Sequence, residues 1–286
     1  MIGALRKAVR TLTSPLERRA ARAYRAGPRL ADALGACRHF AALGIAAILG
    51  YQNETTESSR VIADAYLESI GALAGAGFDC YLSVKGPPLR FSQELFGEIL
   101  TRAREAGVRL HLDSLGVEAV DPTFALLDGA GSLPRRDIGI TLPGRWKRSL
   151  SDADWAVERG VAVRVVKGQW EDPEDPGRDA DLGFLQVVER LAGRATHVAI
   201  ASHNAPLVRE AAQRLRDRGT GCELELLYGF PMRGALSIAR ELSIHARMYV
   251  SYGYPWLPYS AGEIGKNPIC AWWLVRDVLR PHSEIR

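Results

Sequence analysis

The sequence predicts a (β/α)8 barrel of the TIM type, preceded by an N-terminal helical segment. Apolar, strand-like runs alternate with helix-length amphipathic stretches from residue 44 onward. Polar side chains stand at or near the ends of these runs, and the carboxyl ends of parallel barrel strands meet at one rim, where such barrels build their sites. We therefore expect one site formed by the following residues: Lys85, Asp113, Arg164, Lys167, His203, Tyr249 and Tyr259.

Eight segments have the composition of strands buried on both faces, which is typical of parallel sheets. They are residues 44–50, 79–84, 108–113, 137–142, 161–167, 197–201, 222–227 and 246–250. Amphipathic helices are predicted between them, several opened by a capping residue or closed by glycine. These are residues 58–74, 92–106, 151–159, 182–191, 204–218 and 232–242.

Other α/β architectures are disfavoured by the absence of their phosphate-binding motifs. No GxGxxG follows the first strand, and the chain lacks GxxxxGK[ST], which argues against a Rossmann fold and a P-loop fold. The length of 286 residues suits one barrel or two smaller domains. We assign residues 1–40 to an N-terminal helical arm and residues 41–286 to the barrel, with the acidic stretch 171–181 as a loop on its rim.

Composition narrows the function classes. The formal charge of +4 is concentrated in the first thirty residues, which argues against nucleic-acid binding. Four cysteines without metal-ligand spacing indicate neither a metal site nor disulfides, as in a cytoplasmic protein. The apolar segment 41–50 is shorter than the roughly 20 residues that span a bilayer.

The basic start suits a transit peptide, a membrane-surface helix or a solvated helix, and the last is favoured because no cleavage site follows an apolar core.

Three charged residues are the strongest candidates for chemistry. Lys85 and Asp113 end neighbouring strands and are predicted to pair, either in a functional site or as an ordinary rim salt bridge. Arg164 lies within an apolar strand, where a charge is costly unless a polar or anionic group meets it. Lys167 follows three residues later and points to the opposite face unless the strand ends there.

Two further features have both a functional and a structural interpretation. His203 stands between a strand and a helix, where it suits phosphate binding or a structural role. Aromatic residues are frequent in the last two βα units. They either enclose a flat cofactor ring or small substrate at the barrel mouth or belong to the ordinary core. They are Tyr228, Tyr249, Tyr252, Tyr254, Trp256 and Tyr259.

Four motifs, VRVVKGQW, VAIASHN, CELELLYG and RMYVSYGYPWLPY, occur in that order. They resemble RLVKGAY, ATHN, FEFQMLYG and RVYVPYGxxWxPYxxRR of the proline dehydrogenase family, the flavoenzyme barrel of PutA type. The upstream SVK and LD segments match in order too, so the similarity covers about residues 40 to 280. The resemblance implies a distorted (β/α)8 barrel that binds FAD non-covalently, oxidises a cyclic secondary amine by hydride transfer to flavin N5, and passes electrons to a membrane quinone. Quinone reduction would need access to a bilayer, and the basic start suits a peripheral anchor at the inner membrane face or, equally, packing on the barrel or on another subunit.

The same resemblance assigns roles to residues of this chain. Asp113 and Arg164 take the catalytic positions, and Lys85, Tyr249 and Tyr259 the substrate-binding ones. The FAD contacts fall on Ser114, Arg164, Lys167, Gly168, Gln169, Ser202 and His203.

The sequence departs from the family where the substrate carboxylate is held. Gly262 and Glu263 replace the paired arginines, Lys266 replaces a glutamate, and Pro143 replaces a glutamine that meets the flavin. A glycine cannot supply the charge-assisted hydrogen bonds of a bidentate arginine. We therefore expect a cyclic amine other than proline, which lacks proline's carboxylate or carries it in a different place. A proline dehydrogenase that uses other cations, such as Lys85 or Lys266, and a non-catalytic ligand-binding barrel are the alternatives.

Overall fold

The computed structural model describes residues 22–129 and 137–254. Eight parallel strands in this part of the chain form a closed barrel in sequence order. They are β1 Ala46–Gln52, β2 Cys80–Val84, β3 Leu110–Leu112, β4 Ile138–Pro143, β5 Ala162–Val166, β6 His197–Ala201, β7 Gly221–Leu227 and β8 His245–Gly253. The barrel closes through β1 and β8, which pair from Ala46 with Arg247 to Gln52 with Gly253. The predicted (β/α)8 fold and all eight predicted strands are confirmed.

Helices surround the barrel. Those in the described ranges are α1 Leu30–Ala42, α2 Ser59–Leu73, α3 Gln93–Ala106, α4 Val120–Gly129, α5 Ser149–Arg159, α6 Ala180–Leu191, α7 Ala205–Asp217 and α8 Arg233–Glu241. Short 3-10 helices occupy Arg22–Tyr24, Pro87–Leu89 and Val117–Ala119. Helix α1 precedes the first strand and packs against β1 and β8. Residues 1–21 of the predicted N-terminal arm lie outside the described residues.

Local sequence signals set the helix ends. The side chains of Ser58, Ser92 and Asn204 accept hydrogen bonds from the first turns of α2, α3 and α7, and Gly107 and Gly160 end α3 and α5. Helix α4 was missed by the sequence analysis, because its first turn contains a proline and its apolar face is short.

The barrel interior is polar. Along β7 the side chains alternate, so that Leu224 and Leu226 join the apolar layer under the helices while Glu223 and Glu225 meet charged partners inside. TIM barrels usually fill this space with branched apolar residues. The buried polar residues of the strands include Tyr81, His111, Thr141, Arg164, Glu223, Glu225 and Arg247. Such an interior requires every charge to have a partner.

The search for membrane-spanning helices was limited to residues 22–129 and 137–254. None of the helices in these ranges has both the length and the apolar character needed to cross a bilayer.

Candidate active site

Arg164 lies at the centre of the site. It extends from β5 into the barrel, and its side chain is 6% exposed. Its Nη1 donates to Asp113 Oδ1 at 2.6 Å, its Nη2 donates to the Tyr81 hydroxyl at 3.0 Å, and its Nε donates to Glu225 Oε2. Burial disfavours the guanidinium charge, but Glu225, Tyr81 and Asp113 together hold the pKa of Arg164 well above its ordinary value. Arg164 therefore stays charged in a nearly dry environment.

Asp113 has a second partner on the opposite side of the barrel. The hydroxyl of Tyr249, on β8, donates to Asp113 Oδ2 at 2.8 Å. Burial raises the pKa of Tyr249 well above its ordinary value, and Asp113 adds to the shift, so the phenol remains a neutral donor. Gly50 on β1 makes room for this ring, because a Cβ atom there would lie 2.7 Å from ring carbons of Tyr249.

Glu225 completes the group that we call the Arg164 cluster. The Tyr81 hydroxyl donates to Glu225 Oε1, and burial raises the pKa of Tyr81 well above its ordinary value. The Glu225 side chain is only 3% exposed. The cluster consists of Tyr81, Asp113, Arg164, Glu225 and Tyr249; four of them lie in four different strands, and Asp113 directly follows β3. Its two carboxylates lie on either side of one guanidinium.

Lys85 lies beside this cluster, 9% exposed, immediately after β2. Its Nζ donates to the Tyr51 carbonyl at 3.1 Å and to Gln52 Oε1, both at the end of β1. Burial lowers the pKa of Lys85 to about 8, and the charge of Asp113 opposes this shift. The predicted pair of Lys85 with Asp113 needs correction: the carboxylate pairs with Arg164, and β1 supplies the acceptors for the lysine.

His203 is held by the backbone through both ring nitrogens. Its Nε2 accepts from the Leu227 N–H at 3.0 Å, so Nδ1 carries the proton and donates to the Pro231 carbonyl at 3.0 Å. Burial lowers its pKa, which keeps the ring neutral. In this arrangement the ring has no free N–H for a phosphate. Ser202 Oγ similarly accepts from the Asn204 N–H at 3.1 Å.

Lys167 follows the end of β5 and lies beside the cavity wall rather than in it. Its Nζ is 2.5 Å from Asp181 Oδ1, and its side chain is 39% exposed. Gly168 has φ +97°, and a Cβ there would lie 2.8 Å from Pro143 Cβ, so this turn requires glycine. The segment that follows is a loop as far as Asp179, as predicted for this part of the rim.

A cavity of about 560 Å³ lies over the Arg164 cluster, at the carboxyl ends of the strands. Most of the predicted site residues line it: Lys85, Asp113, Ser114, Arg164, Gly168, Gln169, Ser202, His203 and Tyr249. Lys167 is absent from this lining. Tyr259, Gly262, Glu263 and Lys266 lie outside the described residues.

The sequence analysis missed Tyr81, Thr141 and Glu225. Thr141 and Glu225 line the cavity, and Tyr81 lies beneath it against Glu225. The sequence did contain a signal for Glu225, since CELELL places acids at every second position between outward-facing leucines.

A separate charged cluster fills the amino-terminal end of the barrel. Arg247 Nη2 lies 2.7 Å from Asp79 Oδ2 and 3.1 Å from Glu223 Oε2, and His197 Nε2 lies 3.4 Å from Glu223 Oε1. Burial opposes the Glu223 charge, but His197 and Arg247 lower its pKa to about 2. This cluster neutralises the charges at the bottom of the barrel and is not part of the cavity lining.

The fold and the site together define a (β/α)8 barrel with one large rim cavity over a buried, ion-paired arginine. No family model and no curated protein matches the sequence. Among solved structures, the chain resembles proline utilization A (PutA) from Bdellovibrio bacteriovorus inactivated by N-propargylglycine, with a TM-score of 0.73 and 18% identity. That match covers 99% of this chain and 34% of PutA.

Two further PutA structures give the same result. The Bradyrhizobium japonicum PutA mutant D778Y has a TM-score of 0.62 at 17% identity, and PutA with proline bound in remote sites has 0.61 at 18%. Each match covers 83% of this chain and 28% of the PutA chain, so this chain spans about a third or less of these proteins. The similarity establishes a PutA-like barrel fold.

Proposed function

We propose that this chain is an FAD-dependent oxidoreductase that oxidises the CH–NH bond of a cyclic secondary amine, in the manner of a proline dehydrogenase. The observation that carries the proposal is a charged Arg164 beside Asp113 at the floor of the cavity. A fixed cation in a dry site stabilises negative charge that develops during a reaction. The fold similarity to PutA supports the same assignment.

The cavity suits a flavin in size and lining. Its volume of about 560 Å³ lies within the roughly 300–1,000 Å³ typical of ligand sites. Trp170, Leu227 and Phe230 provide apolar surface for a flat ring, and Gly168 and Ala201 allow close approach. Ser114, Gln169 and Ser202 add polar contacts along the same lining. When bound, the flavin supplies the acceptor for a hydride, and Arg164 would stabilise the charge that arrives with it.

Side chains of the protein bind the amine, accept its proton and hold the binding group in position. Asp113 is the exposed end of the Arg164 cluster, at 14%, and is suited to accept a hydrogen bond from the amine. An amine is oxidised from its neutral form, so a group must take its proton. Lys85, whose pKa of about 8 lies near neutrality, is suited to hold that proton. Tyr249 keeps Asp113 oriented toward the cavity through the hydrogen bond at 2.8 Å.

The partners follow from the same proposal. The electron acceptor is a quinone or a similar compound, and the basic N-terminal segment contacts the inner membrane face from a cytoplasmic location.

A proline dehydrogenase is the second candidate, because Lys85 places a cation in the cavity lining where a carboxylate could pair with it.

The absorption spectrum of the purified full-length chain tests the proposal. We expect flavin bands, either as purified or after addition of FAD, that bleach when a cyclic secondary amine is added without oxygen. Arg164→Met should weaken FAD binding and slow the bleaching. The matched control is Arg60→Met, which removes an exposed arginine paired with Asp64 and Glu98.

A colourless protein that takes up no FAD would contradict the proposal and favour a non-catalytic barrel. Unchanged flavin reduction in Arg164→Met would refute the role of that residue alone. Saturation by L-proline at millimolar concentration would favour the second candidate.

A further inference from the structure

Four of the five N–H donors of the Arg164 guanidinium are used by the protein itself. Each of its three nitrogens donates to a protein group, namely Glu225, Tyr81, and Asp113 together with Thr141 at 3.4 Å. A substrate carboxylate is held best by two parallel N–H donors of one arginine. To obtain such a pair from Arg164, a substrate would have to displace one of these protein groups, and the carboxylates among them, Asp113 and Glu225, are only 14% and 3% exposed.

The charges on the cavity lining also balance. Of the described lining residues, Lys85 and Arg164 are cations and Asp113 and Glu225 are anions, while His203 is held as a neutral ring. Without Glu225 the floor would carry a net positive charge. Glu225 removes it, because its carboxylate binds Arg164 Nε directly and is 3% exposed. The described floor therefore has no excess cation to attract an acidic ligand.

Acceptors, in contrast, remain available at the floor. Asp113 is 14% exposed, and the side chain of Gln52 lines the cavity beside Lys85. A protonated or neutral amine N–H can donate to these oxygens. The described floor thus matches the nitrogen of an amine, and its arginine has no pair of open N–H donors for a carboxylate.

We propose that Glu225 is a specificity-determining residue, which balances the charge of the cavity floor and makes the cavity select a cyclic amine that has no carboxylate next to its nitrogen. This rests on the proposed function for the kind of amine, but it concerns ligand binding and not the hydride step. The inference rests on Arg164 of β5 and Glu225 of β7, and therefore does not depend on the substitutions at Gly262 and Glu263.

Calorimetric titration of the full-length protein, with FAD added, tests this inference. The two ligands are L-proline and L-prolinamide, which have the same ring and nearly the same size but differ in the carboxylate charge. At pH 7 we expect L-proline to bind at least tenfold more weakly than L-prolinamide. In Glu225→Gln that ratio should fall at least threefold, because Arg164 regains an uncompensated charge.

Two variants act as controls. Glu223→Gln makes the same change two residues earlier on β7, in the cluster with Arg247, and should leave the ratio unchanged. Glu225→Asp retains the charge and should retain the wild-type ratio. If Glu225→Gln does not fold, as judged by circular dichroism, Glu225→Met removes the same charge at nearly the same volume and is held to the same threefold fall in the ratio.

The inference is overturned if wild-type protein binds L-proline as well as L-prolinamide, if neither ligand binds, or if the two glutamine variants shift the ratio equally. These outcomes are distinct from failure of the proposed function. Protein with a bleachable flavin but no preference for L-prolinamide would overturn only the inference. Protein without flavin fails the proposed function, and the ligand ratio is measured on the same sample.

Discussion

Replacing Arg164 with methionine should destabilise the protein strongly, since two carboxylates depend on it. Among the described side chains, Glu225, 3% exposed, would retain Tyr81 as its hydrogen-bond partner, and Asp113, 14% exposed, would retain Tyr249. Breaking a buried ion pair by removing one partner costs about 3–5 kcal/mol. We expect a loss of this size in the free energy of unfolding of Arg164→Met at pH 8, even though methionine fills most of the same volume.

The pH dependence of that loss identifies its cause. Without the cation, a buried carboxylate costs free energy only in its ionised form, which burial disfavours. The deficit of the variant is therefore smallest at low pH and grows as the pH rises. We expect the difference from wild type to shrink between pH 8 and pH 5.

Urea unfolding followed by tryptophan fluorescence measures these quantities. Adding Glu225→Gln to Arg164→Met should restore at least about 1 kcal/mol, since one uncompensated charge disappears. Arg60→Met, which removes only exposed ion pairs, should cost less than about 1 kcal/mol. A loss below about 1 kcal/mol in Arg164→Met, or one that is independent of pH, would refute the reasoning from buried charge.

Three further predictions concern single residues. Amine oxidation should rise with pH, reach half its maximum near pH 8 and level off above that pH, because Lys85 accepts a proton only when neutral. Lys85→Met should flatten this profile, and an unaltered profile would exclude the lysine as proton acceptor. Gly168→Ala should cost about 1–3 kcal/mol in thermal unfolding, since φ is +97° and Pro143 blocks a Cβ, whereas Gly177→Ala, which has open space, should be nearly neutral. Tyr249→Phe should cost about 1–3 kcal/mol by removing the hydrogen bond to Asp113, and amine binding measured by calorimetry should weaken; equal affinity would contradict the positioning role.

Much of the fold followed from local patterns. The strands were recognisable from apolar runs and the helices from capping residues such as Ser58 and Ser92, because these signals act within a few residues of the chain. Lys85 and Asp113 were expected at the rim because they end parallel strands, and Arg164 because it lies within one. Helix α4 lacked such a signal and was missed.

Partners within the site were less predictable. Lys85 was expected to pair with Asp113, yet it donates to the Tyr51 carbonyl and to Gln52. His203 was left between a functional and a structural interpretation, and only the structure shows that the Pro231 carbonyl and the Leu227 N–H hold its ring. Both outcomes depend on backbone groups, which have the same chemistry at every position of a sequence.

The sequence by itself determined that strands and helices alternate around a barrel and that polar side chains gather at one rim. Only the tertiary structure decided which of them pair. Arg164 meets Asp113 and Glu225 across separations of 51 and 61 residues, and Tyr249 meets Asp113 across 136. The physical reason is barrel closure: it brings distant strands into contact inside a dry interior, where a charge must take whichever partner lies within reach.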